Sequence, residues 1–481
     1  MYFRQIFDER LAQYAYIVGC QQKKEALVID PERDIDRYVR LARADGLEIV
    51  AVAETHIHAD FLSGVREFAE RYGTHAYLPG HTPPDWEYHW IRDPKLDGRI
   101  TRLMHSDTFT IGNIEVKAVH NPGHTPEHTS YLITDRGAGA DEPMGLATGD
   151  FVFVGDLGRP DLLETAAGIA GVMRPSAMQL YRSTVDFLAL PDYLQVWPGH
   201  GAGSACGKAL GAIPETTVGY ERRFSPAIAA ARQGEEPFVD FILEGQPEPP
   251  PYFARMKKLN KEGPPLLGTI PAPQRRLIAD LAAAAQREGA VVLDARRDRQ
   301  DFHRGHLPGS ICAPLNKAFP TIVGSYALPE QEIWLVAAEA DVEECVLNCI
   351  RIGYDRVVGF ATDADLAEYA ARGGVMQSIP TIDFAEVRRR IETEDVRVLD
   401  VRYASEHATM GRVPDAQNIA HTRLRLRLGE VPKDRPLIVH CEAGGRSGSA
   451  ASLLQKHGYE VIAVEDNITN WSPLEAAGAA G

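Results

Sequence analysis

The residues able to do chemistry gather in two places. In Thr55-His56-Ile57-His58-Ala59-Asp60-Phe61 the groups at 56, 58 and 60 alternate, so in extended chain all three project to one side. Three more pieces of the same kind follow. Asn121-Pro122-Gly123-His124-Thr125 presents an imidazole on a turn, Gly145-Leu146-Ala147-Thr148-Gly149-Asp150 is a strand ending in a carboxylate, and Val196-Trp197-Pro198-Gly199-His200-Gly201 repeats the Pro-Gly-His turn. One such histidine is ordinary; four pieces in this order point to a metal centre, since imidazole and carboxylate suit zinc and iron. The second place is Cys441-Glu442-Ala443-Gly444-Gly445-Arg446-Ser447. Loop and helix-start N–H groups converging on one sulfur favour its anion. Arg446 adds positive charge, and the thiolate is the nucleophilic form.

Strands and helices must position these groups. Tyr14–Val18, Glu25–Asp30 and Leu47–Val52 read as strands, with a helical window Asp34–Ala44 between two of them. Residues 1–245 therefore form a layered α/β domain. From 246 to 273 prolines crowd at 247, 249, 250, 251, 264, 265, 271 and 273, a density read as a linker, neither helix nor central strand. An internal repeat follows. Val291-Val292-Leu293-Asp294-Ala295-Arg296 returns as Arg397-Val398-Leu399-Asp400-Val401-Arg402, and Gly305–Ser310 returns as Gly411–Ala416. Two α/β domains with parallel sheets are expected, at 274–377 and 378–481. Pro436–His440 is the strand that leads into Cys441, and a helix from Gly448 to His457 follows.

The order His-x-His-x-Asp, Gly-His, Thr-Gly-Asp, Gly-His resembles the metallo-β-lactamase superfamily over roughly residues 1–245. The resemblance implies an αββα sandwich with its metal between two sheets. Two-zinc hydrolases of the superfamily carry a further histidine after the aspartate; here Phe61 stands there, cannot ligate, and the second site is not expected to fill. The persulfide dioxygenases use the first histidine of the motif, the Gly-His imidazole and the Thr-Gly-Asp carboxylate. By this resemblance His56, His124 and Asp150 hold one Fe(II) per chain, while His58, Asp60 and His200 orient ligands or water. Gly158-Arg159-Pro160-Asp161 is similar to that family's segment beside the metal. Thr217–Arg222 is similar to a helix supplying an arginine to the thiol's carboxylate. Substrate roles follow for Arg159, Asp161 and Arg222, against plainer readings as a loop brace and a solvated side chain. Pro198–Lys208 looks like the form found in dioxygenases fused to rhodaneses, and places Cys206 near the pocket as a sulfur acceptor or a small apolar filler.

Cysteine phosphatases read Cys-x5-Arg; Cys441 to Arg446 is Cys-x4-Arg, which resembles the rhodaneses and implies a carried sulfur. Glu442 disfavours a phosphate dianion by like charge. Glu442, Ala443, Gly444, Gly445 and Ser447 form the cradle. In the middle domain Ala338 is aligned with the nucleophile, so that domain is expected to be silent. Cys20, Cys312, Cys345 and Cys349 read as core.

The implied substrates are a low-molecular-weight thiol persulfide and O2, giving sulfite, with sulfur passing between Cys441, sulfite and thiosulfate. Two rivals stand: a metal-dependent thioester hydrolase of the glyoxalase II type fused to a sulfurtransferase, and a sulfur-carrying scaffold. Composition narrows the field. The 481 residues carry 51 Lys+Arg against 67 Asp+Glu, a net charge of −16, which argues against nucleic acid or an anionic membrane as partner. No window is apolar enough to span a bilayer, and no leader is visible at the N-terminus. Six scattered cysteines do not make a disulfide framework. A cytoplasmic protein is expected; the sequence fixes neither the thiol carrier nor whether the chains form a homo-oligomer.

Overall fold

The computed structural model describes residues 1–166 and 168–471; residues 472–481 of the last predicted domain lie outside them. The chain forms two compact units, one built on Met1–Ile270 and one on the residues from Pro271 onward, with Arg351–Gly353 assigned to the first.

The first unit holds two six-stranded sheets. One runs β1 (Tyr2–Asp8), β2 (Gln13–Cys20), β3 (Glu25–Ile29), β4 (Glu48–Ala53), β5 (His75–Pro79) and β6 (Ile100–Leu103) side by side in chain order. The other runs in reverse from β12 (Thr216–Thr217) through β11 (Gln195–Pro198), β10 (Gly145–Gly149), β9 (Thr129–Asp135) and β8 (Ile114–His120) to β7 (Thr108–Ile111). Alternation sorts the side chains. Leu27, Ile29, Ala51 and Ala53 meet Val116, Tyr131, Ala147 and Trp197 between the sheets. Ala26, Val28 and Val52 face outward, under Tyr38 and Phe68 of the helices Asp36–Ala44 and Val65–Arg71. Leu146 and Val196 pack outward against Leu180 and Phe238 of the helices Met173–Phe187 and Glu235–Leu243. The layering is αββα, as the resemblance implied.

One expectation is corrected. The Pro-rich stretch 246–273 contains a helix, Tyr252–Glu262. Its prolines lie at the two ends, and Pro251 sits at the N-cap, where a missing N–H costs nothing.

The second unit holds two five-stranded, all-parallel sheets. The first comprises β13 (Gln274–Arg275), β14 (Ala290–Asp294), β15 (Ile311–Cys312), β16 (Glu332–Val336) and β17 (Val357–Ala361), in the order β13-β17-β16-β14-β15. The second comprises β18 (Thr381–Ile382), β19 (Arg397–Asp400), β20 (Gln417–Asn418), β21 (Leu437–His440) and β22 (Val461–Val464), in the order β18-β22-β21-β19-β20. The two orders are the same, so the repeat read in the sequence is a repeat of topology. Its shared Asp-x-Arg is structural. Arg296 pairs with Asp294 and donates to Gly305 O at 2.8 Å, and Arg402 pairs with Asp400 and donates to Gly411 O at 2.9 Å.

Candidate metal centre and sulfur cradle

β4 ends at Ala53, and the following residues are held at the sheet edge from several directions. Asp30, just past β3, accepts from Thr55 N at 2.7 Å and Thr55 Oγ1 at 2.8 Å. Glu127 accepts from Ile57 N at 2.8 Å. Asn260, on the helix Tyr252–Glu262, donates to His58 O at 2.9 Å and Phe61 O at 2.7 Å and accepts from Ser63 N at 3.0 Å. The alternating segment is thus pinned, and it brings His56 to His124 and Asp150.

These three are buried, with ligand atoms all within 4.8 Å of one another. Asp150 Oδ2 lies 3.8 Å from His56 Nε2 and 3.6 Å from His124 Nε2. Both imidazoles have their other nitrogen engaged. His124 Nδ1–H donates to Arg159 O at 3.0 Å, and His56 Nδ1 meets Thr55 Oγ1 at 2.9 Å. That leaves two Nε2 lone pairs facing a carboxylate whose oxygens find no buried hydrogen-bond donor. Burial pushes Asp150 up to about 6 and holds His56 and His124 well below the ordinary imidazole range. Neutral imidazoles around an unsatisfied buried carboxylate fit a divalent cation.

His58 does not join them. Its Nε2 bonds Asp30 Oδ1 at 3.2 Å; burial opposes its charge, but Asp30, Glu54 and Asp60 prevail and hold it up to about 9. Phe61 packs tilted against its ring, the centroids 4.3 Å apart. Asp60, His200 and Cys206 form a second buried cluster within 4.8 Å. His200 Nε2 reaches Asp60 Oδ2 at 3.3 Å and Asp150 Oδ1 at 3.4 Å, with its Nδ1–H given to Ala12 O. Burial, then Asp60 and Asp150, push the Cys206 thiol well up. Cys206 therefore stands beside Asp60 and His200, near the pocket as the sequence suggested. Two glycines allow these approaches: a Cβ on Gly158 would lie 1.8 Å from Asp150 O, and one on Gly199 2.6 Å from Asp150 Oδ1.

Arg159 and Asp161 are a buried bidentate pair at 2.9 and 2.6 Å, and Arg159 also donates to Ala205 O at 3.0 Å. The plainer reading, a brace, describes what they do here: they tie the segment that orients His124 to the loop carrying Cys206. Arg222 is corrected. It pairs with Asp192 and donates to Leu188 O at 2.7 Å and Leu190 O at 2.8 Å, so three protein acceptors occupy the guanidinium expected to meet a substrate.

Sequence reasoning missed three residues. His128 accepts from Asp150 N at 3.1 Å, donates to Asn121 Oδ1 at 2.7 Å and stacks on His56; its place four residues after His124 was the signal. Asn260 and Lys257 come from the supposed linker. Lys257 is buried with its Nζ over the Trp86 ring at 5.4 Å and, among the described residues, no hydrogen-bond partner for Nζ; its charge helps to depress His56 and His124.

In the last repeat β21 delivers Cys441, 2% exposed, to the loop before the helix Gly445–Lys456. Gly444 takes φ 89°, a left-handed turn suited to glycine. The thiol donates to Ser447 Oγ at 3.6 Å, and Ser447 in turn donates to Gly444 O at 2.9 Å. Arg446 closes the loop but is held by Glu406 at 2.6 and 2.7 Å, with Glu442 at 3.5 Å. In the middle repeat, β14–β16 register sets Val336 opposite Asp294, as His440 lies opposite Asp400. Ala337, rather than Ala338, therefore occupies the nucleophile's place. The shift arises because 337–341 is one residue longer than 441–444. All six cysteines are buried.

A buried His-His-Asp cluster at the edge of an αββα sandwich defines a class of metal-dependent enzyme domains, here joined to a duplicated parallel-sheet pair that carries a cysteine loop. The Metallo-beta-lactamase superfamily profile matches residues 8–200, and the Rhodanese-like domain profile matches residues 383–473. A metallo-beta-lactamase from Staphylococcus aureus subsp. aureus COL has a solved structure that is 38% identical, with a TM-score of 0.66, covering 75% of this chain and 98% of that one. A sulfurtransferase of Allochromatium vinosum is 34% identical over 93 residues, 19% of this chain and 86% of that protein. A probable polyketide biosynthesis zinc-dependent hydrolase of Bacillus velezensis is 23% identical over 216 residues, 45% of this chain and 84% of that protein. The chain also spans about half the length of beta-lactamase hydrolase-like proteins from Xylella fastidiosa and Agrobacterium fabrum, 51% and 54%. The chain belongs to the metallo-β-lactamase superfamily, with a rhodanese-like domain at its C-terminal end. Among the described residues no helix is long and apolar enough to cross a membrane.

Proposed function

We propose that the first unit is a mononuclear Fe(II) persulfide dioxygenase and the last repeat a sulfurtransferase acting on the same sulfur. The observation that carries the first half is the ligand set. With His58 turned to Asp30 and Phe61 in place of a histidine, two imidazoles and one carboxylate remain together, the set typical of non-heme iron oxygenases. Iron there would supply the redox chemistry that joins a persulfide sulfur to dioxygen. Overall, R-S-SH, O2 and water give the thiol R-SH, sulfite and two protons. The chain's own groups fix both imidazole tautomers through Thr55 and Arg159 O, hold Asp150 by its backbone through His128, and keep the site buried.

At Cys441 the thiolate attacks the outer sulfur of thiosulfate. The S–S bond breaks, sulfite leaves with the bonding pair, and the sulfur stays as a cysteine persulfide; the reverse step makes thiosulfate. Arg446, at the end of the loop, supplies positive charge for the anionic partner in either direction of this exchange.

The hydrolase reading keeps two observations in its favour: Asp60, His200 and Cys206 beside Asp150 are also able to hold an ion, and a zinc-dependent hydrolase is among the relatives. Oxygen-electrode measurements on full-length protein loaded with iron or zinc separate the two. We expect persulfide-dependent O2 uptake by the iron form, abolished in His124→Ala. Thioester cleavage by the zinc form with no O2 uptake by the iron form would overturn the proposal.

A further inference from the structure

We infer that the repeat without a nucleophile forms half of the sulfurtransferase site: its Arg297, Arg299 and Asn316 bind the oxyanion head of a small sulfur oxyanion, sulfite or thiosulfate. The inference rests on the reading of Cys441 as sulfur carrier and names what that site recognises and with which residues.

A pocket of about 120 Å³ opens between the two repeats, with Arg297, Arg299 and Asn316 on one wall and His421, Gly445 and Arg446 on the other. That volume is room for a tetrahedral oxyanion and well short of the ~300 Å³ at which drug-sized ligand pockets begin. Gly445 and Arg446 belong to the loop that cradles Cys441, so the pocket adjoins the sulfur's own cradle.

Three guanidiniums line it, each anchored by carboxylates: Arg297 by Asp341 and Glu344, Arg299 by Glu465, Arg446 by Glu406. Anchoring fixes each fork without exhausting it. Among the described residues Nη1 of Arg297, Nη1 of Arg299 and Nε of Arg446 have no protein acceptor. Pre-placed N–H donors of this kind suit an oxyanion. His421 adds a neutral ring, since burial and then Arg446 hold it down to about 3.

Arg299 also touches the cradle itself. It donates to Ala443 O at 3.1 Å. A Cβ on Gly444 would meet Glu465 Oε2 at 2.6 Å and Arg299 Nη2 at 2.9 Å. The turn that shapes the cradle is therefore packed against the neighbouring repeat. Arg297 and Arg299 thus have a use in a domain with alanine at the nucleophile position.

The test is thiosulfate binding by calorimetry to full-length Cys441→Ser protein, alone and combined with Arg297→Ala or Arg299→Ala. Each arginine variant should bind about tenfold more weakly, the value of one charge-assisted hydrogen bond. With Cys441 intact, Arg297→Ala should raise KM for thiosulfate by a similar factor and leave kcat within about twofold, because Arg297 touches no part of the cradle. Arg297 is half exposed, so its removal does not threaten folding, and Arg299→Lys should recover part of the affinity lost in Arg299→Ala. Affinity unchanged in both alanine variants would overturn the inference. Mass spectrometry of Cys441 after thiosulfate keeps the two readings apart: no gain of a sulfur atom overturns the sulfurtransferase reading, whereas a gain with unaltered binding in the variants overturns this inference alone.

Discussion

Asp150 is where the two buried clusters of the first unit converge, one oxygen toward His56 and His124 and the other toward His200. A carboxylate so placed is able to serve one ion or bridge two, and the neighbours decide which. His58 is withdrawn by Asp30, which takes away an imidazole from the first cluster. Cys206 would offer a soft ligand to the second, but burial, then Asp60 and Asp150, push its thiol well up. The expected outcome is one metal equivalent per chain by elemental analysis, unchanged in Cys206→Ala and lost in His124→Ala. Two equivalents in the wild type falling to one in Cys206→Ala would make Asp60, His200 and Cys206 a metal site and refute the mononuclear reading. These residues show what sequence makes legible. His56, His58 and Asp60 announce themselves because their spacing is local. Cys206 and His128 stay ambiguous because only folding brings them to Asp150.

At the scale of elements, the strand ends do the positioning, and β3, β4 and β10 were readable from their apolar runs and the motifs that terminate them. The helix Tyr252–Glu262 was not, because a proline count averages over thirty residues while proline acts on its own turn and the one before it. Its Asn260 answers three backbone groups between His58 and Ser63. Asn260→Ala strands a buried N–H and two carbonyls, at about 1–3 kcal/mol for each buried group left unsatisfied, partly relieved by relaxation. Chemical denaturation should show a loss of about 2–4 kcal/mol in the first unit, accompanied by weaker metal retention. A variant as stable and as metal-rich as the wild type would mean that the helix merely covers the loop. Register corrected the sequence in a similar way, moving the silent position from Ala338 to Ala337; a one-residue difference in loop length is invisible without the paired strand.

For the whole molecule, the consequential fact is that a domain proposed to make sulfite is covalently joined to a domain proposed to consume it. Tethering raises the effective concentration of one site's product near the other, to about mM for short flexible linkers, although sulfite also diffuses away. With persulfide and O2 the wild type should therefore yield thiosulfate as well as sulfite. Cys441→Ser should keep O2 uptake nearly unchanged and yield mostly sulfite, because His56, His124 and Asp150 lie in a different compact unit. His124→Ala should behave in the opposite way, with no O2 uptake but thiosulfate formed when sulfite is added. Chromatography after thiol-reactive labelling reads both products in the three proteins. If wild type and Cys441→Ser gave equal thiosulfate, after subtraction of the uncatalysed reaction between sulfite and persulfide, the division of labour would fail even with both active sites intact. A fall in thiosulfate in Cys441→Ser, reproduced in part by Arg297→Ala with O2 uptake unchanged in both, would place the branch point at the pocket between the repeats, where Arg297 and Arg299 face the loop that carries Cys441.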